Sequence, residues 1–206
     1  MNGVLEEARR IVAGGRPKDA YSLVAPLLDL SPEPTGASAL QREVAYLVLR
    51  SMPSQHDDGE REHLERWLLA SAQPMSREVP QAHQILHAVG LSALTAARPR
   101  RALRAFARTL RSSQLSGGGR VRVADLACTA LMDLGRFEAA RQLALKERAR
   151  APHDQLDWLY LRRVALASQA LGDMPTMKAQ ARECIEHPLC PTVIREELEP
   201  LLCSEG

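Results

Sequence analysis

The sequence predicts an all-α fold built from pairs of short helices. Apolar residues recur with helical spacing over almost the whole chain, and Gly or Pro residues interrupt this pattern at intervals of roughly 12 to 18 residues. The composition agrees, because the chain is 45% hydrophobic but only 3% aromatic. Its apolar content is therefore mostly Leu, Ala and Val, which favours closely packed helices over sheets.

Eleven segments carry the helical pattern. The predicted helices cover residues 2–13, 17–30, 36–51, 59–72, 78–96, 99–112, 120–134, 136–150, 154–171, 174–186 and 191–203. The connections between them are short, so neighbouring helices are expected to be antiparallel. The stretch Ser-Gly-Gly-Gly-Arg at 116–120 is the expected hinge.

A pattern of small residues repeats along the helix pairs. The turn position is occupied by Gly15, Ala97, Gly135 and Gly172, and the position five residues later by Ala20, Ala102, Ala140 and Met177. Gly adopts the left-handed conformation of a tight turn without a steric penalty. The small residue that follows lets the two helices approach closely, and Pro32 and Pro152 are placed to stop the second helix.

This arrangement resembles the tetratricopeptide repeat (TPR), a helix-turn-helix unit of about 34 residues. Positions 135 and 172 are 37 residues apart, 97 and 135 are 38 apart, and 15 and 97 are 82 apart, so the units here are longer. The resemblance implies a right-handed α-solenoid of about five helix-turn-helix pairs plus a C-terminal capping helix, forming a single domain over residues 1–206. The expected units cover 1–34, 36–73, 78–113, 119–152 and 154–188, with the cap at 191–203.

The resemblance also implies a concave groove, lined by the first helix of each unit, that holds an extended peptide or a helix of a partner protein. The groove positions fall on Arg9, Arg42, Tyr46, Gln84, His87, Leu91, Arg122, Asp125, Thr129, Arg162, Arg163 and Leu166. This set leans basic, which favours a partner segment that carries carboxylates. It does not reproduce the Lys/Asn carboxylate clamp of chaperone-binding members of the family.

A second basic feature is a stripe of arginines on the predicted helix 99–112. Its members are Arg101, Arg104, Arg108 and Arg111, and other arginines between 98 and 122 add to the local charge. The stripe is interpreted first as a solvated helix face. It could also bind an acidic protein or a nucleic acid, although the low aromatic content argues against single-strand binding, which needs stacking platforms.

Two clusters contain residue types that bind metals. Cys184, His187, Cys190 and Cys203 could supply a Cys₃His zinc set, but Cys184 falls on the inward face of its helix, which favours a buried thiol. His83 and His87 are four residues apart on one helix but have no third ligand. The sequence has no nucleotide-binding loop and no nucleophile motif, so it predicts no catalytic residue, no metal, no cofactor and no enzymatic activity.

The remaining features indicate a bacterial, cytoplasmic protein. No run of about 18 apolar residues is present, and the N-terminus lacks the regions of a signal peptide. The chain has 24 arginines but 3 lysines, which is typical of a GC-rich genome, and four cysteines do not form a disulfide framework in a chain of 206 residues. The sequence therefore predicts a non-catalytic adaptor, chaperone-like or regulatory protein with a protein partner. A nucleic-acid-associated regulator is the alternative, and the oligomeric state stays open.

Overall fold

The computed structural model describes residues 2–29, 38–52, 58–71, 82–113, 115–150 and 155–203, and these residues form helices joined by short turns, with no strand. The helices are α1 Asn2–Ala13, α2 Pro17–Asp29, α3 Ala39–Ser51, α4 Asp58–Ser71, α5 Ala82–Thr95, α6 Pro99–Thr109, α7 Gly117–Asp133, α8 Phe137–Arg150, α9 Asp157–Ala170, α10 Met174–Glu186 and α11 Thr192–Cys203. The all-α prediction is confirmed.

The predicted helix boundaries differ from the observed ones mainly where a cap was missed. The α3 helix begins at 39 because Ser38 and Gln41 form a capping box, with the Gln41 amide donating to Ser38 Oγ (3.2 Å) and the Ser38 amide donating to Gln41 Oε1 (2.8 Å). The α7 helix begins earlier than predicted, so Gly117 to Gly119 form its first turn. The hinge expected at 116–120 stays a prediction.

Contacts divide the chain into two compact units, Met1–Ser112 and Ser113–Gly206. In the first unit, consecutive helices pack as the pairs α1–α2, α3–α4 and α5–α6. In the second unit, α7 packs on α8, α9 on α10, and α11 on α10. The single domain over 1–206 and the bounds of its repeat units remain predictions. Pro32 and Pro152 lie outside the described residues.

The four predicted turn positions share one backbone geometry. Their φ angles are 76° at Gly15, 53° at Ala97, 69° at Gly135 and 73° at Gly172, and Ala97 is the single non-Gly residue with positive φ among the described residues. Each turn closes with a hydrogen bond from the next amide to the carbonyl five residues earlier, such as Arg98 N to Ala93 O at 2.8 Å and Arg136 N to Leu131 O at 2.8 Å. This is the Schellman motif, which satisfies carbonyls at the helix end.

The small residues after these turns lie where the helices meet. The positions five residues beyond the turns, Ala20, Ala102, Ala140 and Met177, are all 0% exposed. Gly90 shows how close the approach is, because a Cβ there would lie 2.4 Å from Phe106 Cε1. The small residues of the repeat pattern therefore mark positions where two helices are in contact.

The first helix of the second pair ends differently in its described residues. Met52 caps α3 in an extended conformation (φ −67°, ψ 126°) and donates its amide to Val48 O. The connection from there to α4, residues 53–57, lies outside the described residues.

Candidate functional site

The predicted groove residues are placed on the first helices of the helix pairs. In the first unit, Arg9 lies on α1, Arg42 and Tyr46 on α3, and Gln84, His87 and Leu91 on α5. In the second unit, Arg122, Asp125 and Thr129 lie on α7, and Arg162, Arg163 and Leu166 on α9. Every one of these side chains is exposed or half-buried, so none belongs to the buried core of its unit.

Much of the positive charge on these helices is neutralised within the chain. In the first unit, Arg9 Nη2 lies 3.0 Å from Glu43 Oε1, an ion pair that joins α1 to α3. In the second unit, Arg163 binds Asp125 through Nε (2.5 Å) and Nη2 (3.1 Å), which joins α9 to α7. The Thr129 hydroxyl does not take part, because it donates to the Asp125 backbone carbonyl at 3.1 Å.

The capping helix, α11, is also joined to a first helix by an ion pair. Arg162 donates from Nε and Nη2 to the two carboxylate oxygens of Glu197, each at 2.8 Å, which joins α9 to α11. Burial by itself lowers the pKa of Arg162, but the hydrogen bond and charge of Glu197 raise it overall. Two-pronged Arg–carboxylate pairs of this kind fix geometry as well as charge. Arg162 and Arg163 therefore join neighbouring helices. The number of arginines in the sequence does not show that they have this role.

A different arrangement lies between α3 and α5. Arg50 Nη1 donates to the Tyr46 hydroxyl at 3.1 Å, and the guanidinium carbon lies 5.6 Å from the centre of the Tyr46 ring. His87 on α5 is half-buried against Phe106, with ring centres 6.2 Å apart, and its Nε2 atom is buried without a hydrogen-bond partner. Burial, followed by the charges of His83 and Arg50, holds the pKa of His87 below its usual value.

Sequence reasoning missed Arg50. It lies four residues after Tyr46 on α3, so the two side chains share one helix face. That spacing was the available signal.

The arginine stripe is only partly exposed. Arg101 binds Glu62 Oε1 at 2.7 Å and Glu65 Oε2 at 2.9 Å, and Arg98 binds Glu65 Oε2 at 3.2 Å. The hydrogen bond and charge of Arg101 hold the pKa of Glu62 below its usual value. Arg108 donates to the Leu69 carbonyl. The prediction that the stripe faces water was therefore wrong for Arg101 and Arg108.

The remaining stripe residues, Arg104 and Arg111, are exposed, as is the neighbouring Arg100. The buried centre of this region is Glu65, whose side chain is 0% exposed and which also accepts a hydrogen bond from Ser92 Oγ at 2.7 Å. A buried carboxylate is stable only when it is paired and hydrogen-bonded. This cluster consequently ties α4 to α5 and α6 and leaves few arginines of the stripe for a ligand.

Two cysteines of the candidate zinc set, Cys184 and Cys190, pack in the hydrophobic core of the second unit. Cys184 Sγ lies 3.9 Å from Cys190 Sγ, both thiols are buried, and Cys203 is exposed. Burial and the neighbouring Cys190 raise the pKa of Cys184 to about 12, so in the absence of a metal ion it is a neutral thiol at pH 7. Over the described ranges, no three His, Cys, Asp or Glu side chains are grouped to hold a metal ion.

An open cavity of about 410 Å³ lies in the second unit, and sequence reasoning did not anticipate it. Its polar lining centres on Arg148, whose Nε lies 3.0 Å from Asp157 Oδ2 and whose Nη2 pairs with Glu183. Leu161 and Leu189 supply the apolar wall. The three charged side chains of this lining, Arg148, Asp157 and Glu183, are paired with one another.

Comparison with known proteins identifies the fold. No protein-family model and no curated protein sequence matches the chain. A solved structure does match: the crystal structure of a Podosopora anserina putative kinesin light chain with nearly identical TPR-like repeats. The match has a TM-score of 0.58 at 15% sequence identity and covers 97% of this chain and 96% of that one. The chain therefore has a TPR-like α-solenoid fold.

In the part of the chain that the structure describes, no helix is both long and apolar enough to cross a membrane.

Proposed function

We propose that this chain is a non-catalytic protein-interaction module, with an adaptor, chaperone-like or regulatory role, that binds a peptide or helix of a partner protein on its first helices. The observation that carries the proposal is the character of these helices. They present exposed or half-buried polar side chains together with Leu91, which is 39% exposed. Mixed apolar and polar contacts of this kind suit a protein ligand.

Two expectations accompany this proposal. We place the protein in the cytoplasm, because the described cysteines are free thiols even where Cys184 and Cys190 lie 3.9 Å apart. We also propose that the bound segment of the partner carries carboxylates. The ion pairs of Arg9, Arg162 and Arg163 reduce the positive charge that would attract it.

The experiment begins with pull-down from the native extract, followed by affinity measurements on the purified partner. Leu91→Gln and Arg122→Glu alter exposed groove positions in the two units. We expect each to weaken partner binding at least about tenfold while the melting temperature stays within about 2 °C of wild type. Arg162 is unsuitable as a probe, because its reversal would place a carboxylate against Glu197.

A nucleic-acid-associated regulator remains the second candidate, because exposed Arg100, Arg104 and Arg111 carry positive charge on and just beyond α6. The matched variant is Arg104→Glu combined with Arg111→Glu. If this variant abolished binding, if the groove variants had no effect, and if affinity fell steeply with salt, the nucleic-acid function would replace the protein-binding one.

A further inference from the structure

The open cavity of the second unit lies where the ends of three helices meet. Arg148 comes from the end of α8, Asp157 from the start of α9 and Glu183 from the last turn of α10. Residues 187–189, in the connection from α10 to α11, also line it. Its volume of about 410 Å³ falls in the range of small-ligand pockets, and it is open to solvent, so a ligand can reach it.

Among the described residues, the charged side chains that line this cavity are one cation and two anions. Arg148 donates from Nε to the two carboxylate oxygens of Asp157, at 3.2 and 3.0 Å, and from Nη2 to Glu183 Oε1. One guanidinium therefore binds two carboxylates. One positive and two negative charges leave one negative charge in excess, which favours a cationic ligand over an anionic one.

Glu183 is the carboxylate of this pair that a ligand can reach. Its side chain is 48% exposed, whereas that of Asp157 is 10% exposed. Arg148 binds Glu183 Oε1, and Glu183 Oε2 has one long contact, 3.5 Å from the side-chain nitrogen of Gln180. A carboxylate oxygen has two lone pairs, so Oε2 can accept a shorter and stronger hydrogen bond from a charged donor.

The surroundings of Glu183 do not offset this negative charge. The last turn of α10 contains no Lys or Arg, and the partial negative charge of a helix C-terminus attracts cations. His187 Nδ1 accepts a hydrogen bond from the Leu189 amide at 3.2 Å, so this nitrogen is an acceptor and not the second N–H of an imidazolium. Arg195 donates to the carbonyls of His187 and Cys190 and does not line the cavity.

An apolar wall lies beside the charged residues. Leu161 and Leu189 both line the cavity, and Leu189 is 54% exposed although it is a large apolar side chain. A ligand that combines an aliphatic chain with a cationic group would cover this leucine and reach the carboxylate at once. Lys and Arg side chains are built in this way.

We propose that this cavity binds an Arg or Lys side chain of a partner peptide, with the cationic group on Glu183 Oε2 and the aliphatic chain on Leu189. The inference goes beyond the proposed function, because none of the lining residues is one of the predicted groove positions. The ligand also has the opposite charge to the one proposed for the groove. Either proposal can therefore fail without the other.

The test uses a defined peptide in place of a natural partner. The probe is a pentapeptide with both ends capped and a single Arg between Ala residues, titrated into the full chain while NMR follows the Arg148 Nε–H signal and the Leu189 methyls. The peptide is raised to about 10 mM, which fills a site with a Kd of about 1 mM to about nine-tenths. We expect saturable shifts of both residues. The same peptide with citrulline, a neutral analogue of Arg, should produce neither.

The decisive variant is Glu183→Gln, with Glu186→Gln as the matched control. Both glutamates are exposed on the last turn of α10, but Glu186 does not line the cavity. Loss of a charged hydrogen bond should weaken the Arg peptide about tenfold in Glu183→Gln and less than about twofold in Glu186→Gln. Both variants should melt within about 2 °C of wild type, because an exposed ion pair contributes little to stability.

Several results would overturn the proposal. They are equal binding of the citrulline peptide by the wild-type chain, no saturable shift at the highest peptide concentration, and equal affinities of the two glutamate variants. Tighter binding of a capped Glu peptide would assign the cavity to anions through Arg148. If n-butylguanidine bound as tightly as the Arg peptide, the site would take a free alkyl cation and the peptide assignment would be wrong. The groove variants Leu91→Gln and Arg122→Glu should leave the Arg peptide unaffected, so the proposed function is tested separately.

Discussion

Replacing Ala97 with Gly should stabilise the protein. Ala97 holds the turn between α5 and α6 at φ 53°, in a place where the other three turns carry Gly. An L-residue in this left-handed region costs about 1–2 kcal/mol relative to its right-handed conformations. Gly avoids that cost but loses about 0.5–1 kcal/mol more conformational entropy on folding. The difference gives Ala97→Gly a net stabilisation of about 0.5–1 kcal/mol.

The reverse change at an equivalent turn provides the control. A Cβ built on Gly135 meets no atom within 4 Å, so Gly135→Ala introduces backbone strain without a clash. It should therefore destabilise by about the amount that Ala97→Gly stabilises. Both effects are measured by urea unfolding followed by circular dichroism at 222 nm (the helical signal), with the slope m unchanged because neither change alters the buried surface.

The result that would refute this reasoning is a lower free energy of unfolding for Ala97→Gly. Such a loss would mean that the turn at 97 is not left-handed in solution, or that the alignment of Ala97 with the turn glycines is only formal. The thermal shift gives a second reading, since about 1 kcal/mol moves the melting temperature by about 2–4 °C in a chain of this size.

Three other measurements test the packing and the titratable groups. Gly90→Ala should destabilise by about 1–3 kcal/mol in urea unfolding, because the new Cβ would lie 2.4 Å from the ring of Phe106. Alkylation with iodoacetamide at pH 8, followed by peptide mass spectrometry, should modify exposed Cys203 and spare Cys128, whose pKa burial raises to about 12. Burial lowers the pKa of His87 from 6.5, so its contribution to stability is complete above pH 6.5 and is lost as the pH falls through the lower folded value. His87→Gln should remove that part of the acid sensitivity, and an unchanged pH profile would contradict the burial of this ring.

The helices and three of the five turns could be predicted because their signals are local. A Gly followed five residues later by a small residue records the turn and the helix contact together, as Gly135 and Ala140 show. The turn at Ala97 needed the repeat alignment as well, since Ala alone does not signal a left-handed residue. At the second pair, the predicted helix end at residue 51 agrees with α3, and the connection at 53–57 lies outside the described residues.

The helices that carry the candidate groove positions could be predicted, but the ion pairs of those positions could not. The first-helix positions follow from counting back from each turn. Whether an arginine on those helices is available to a ligand depends on which residue the neighbouring helix places opposite it, and this is a tertiary contact. Arg163 and Asp125 are 38 residues apart in the chain, so no local window relates them. Glu65 is a similar case, since its sequence context resembles a surface helix although its side chain is fully buried.

Several of the many arginines also join neighbouring helices, a role that the composition of a GC-rich genome does not explain. Arg162 donates hydrogen bonds to both carboxylate oxygens of Glu197. Arg101 forms ion pairs with two carboxylates of the adjacent α4, Glu62 and Glu65. A lysine ammonium cannot form the planar two-pronged pair, so Arg-to-Lys exchange at these positions would weaken the link between helices even though the net charge stayed the same. Most of these arginines are thus part of the scaffold.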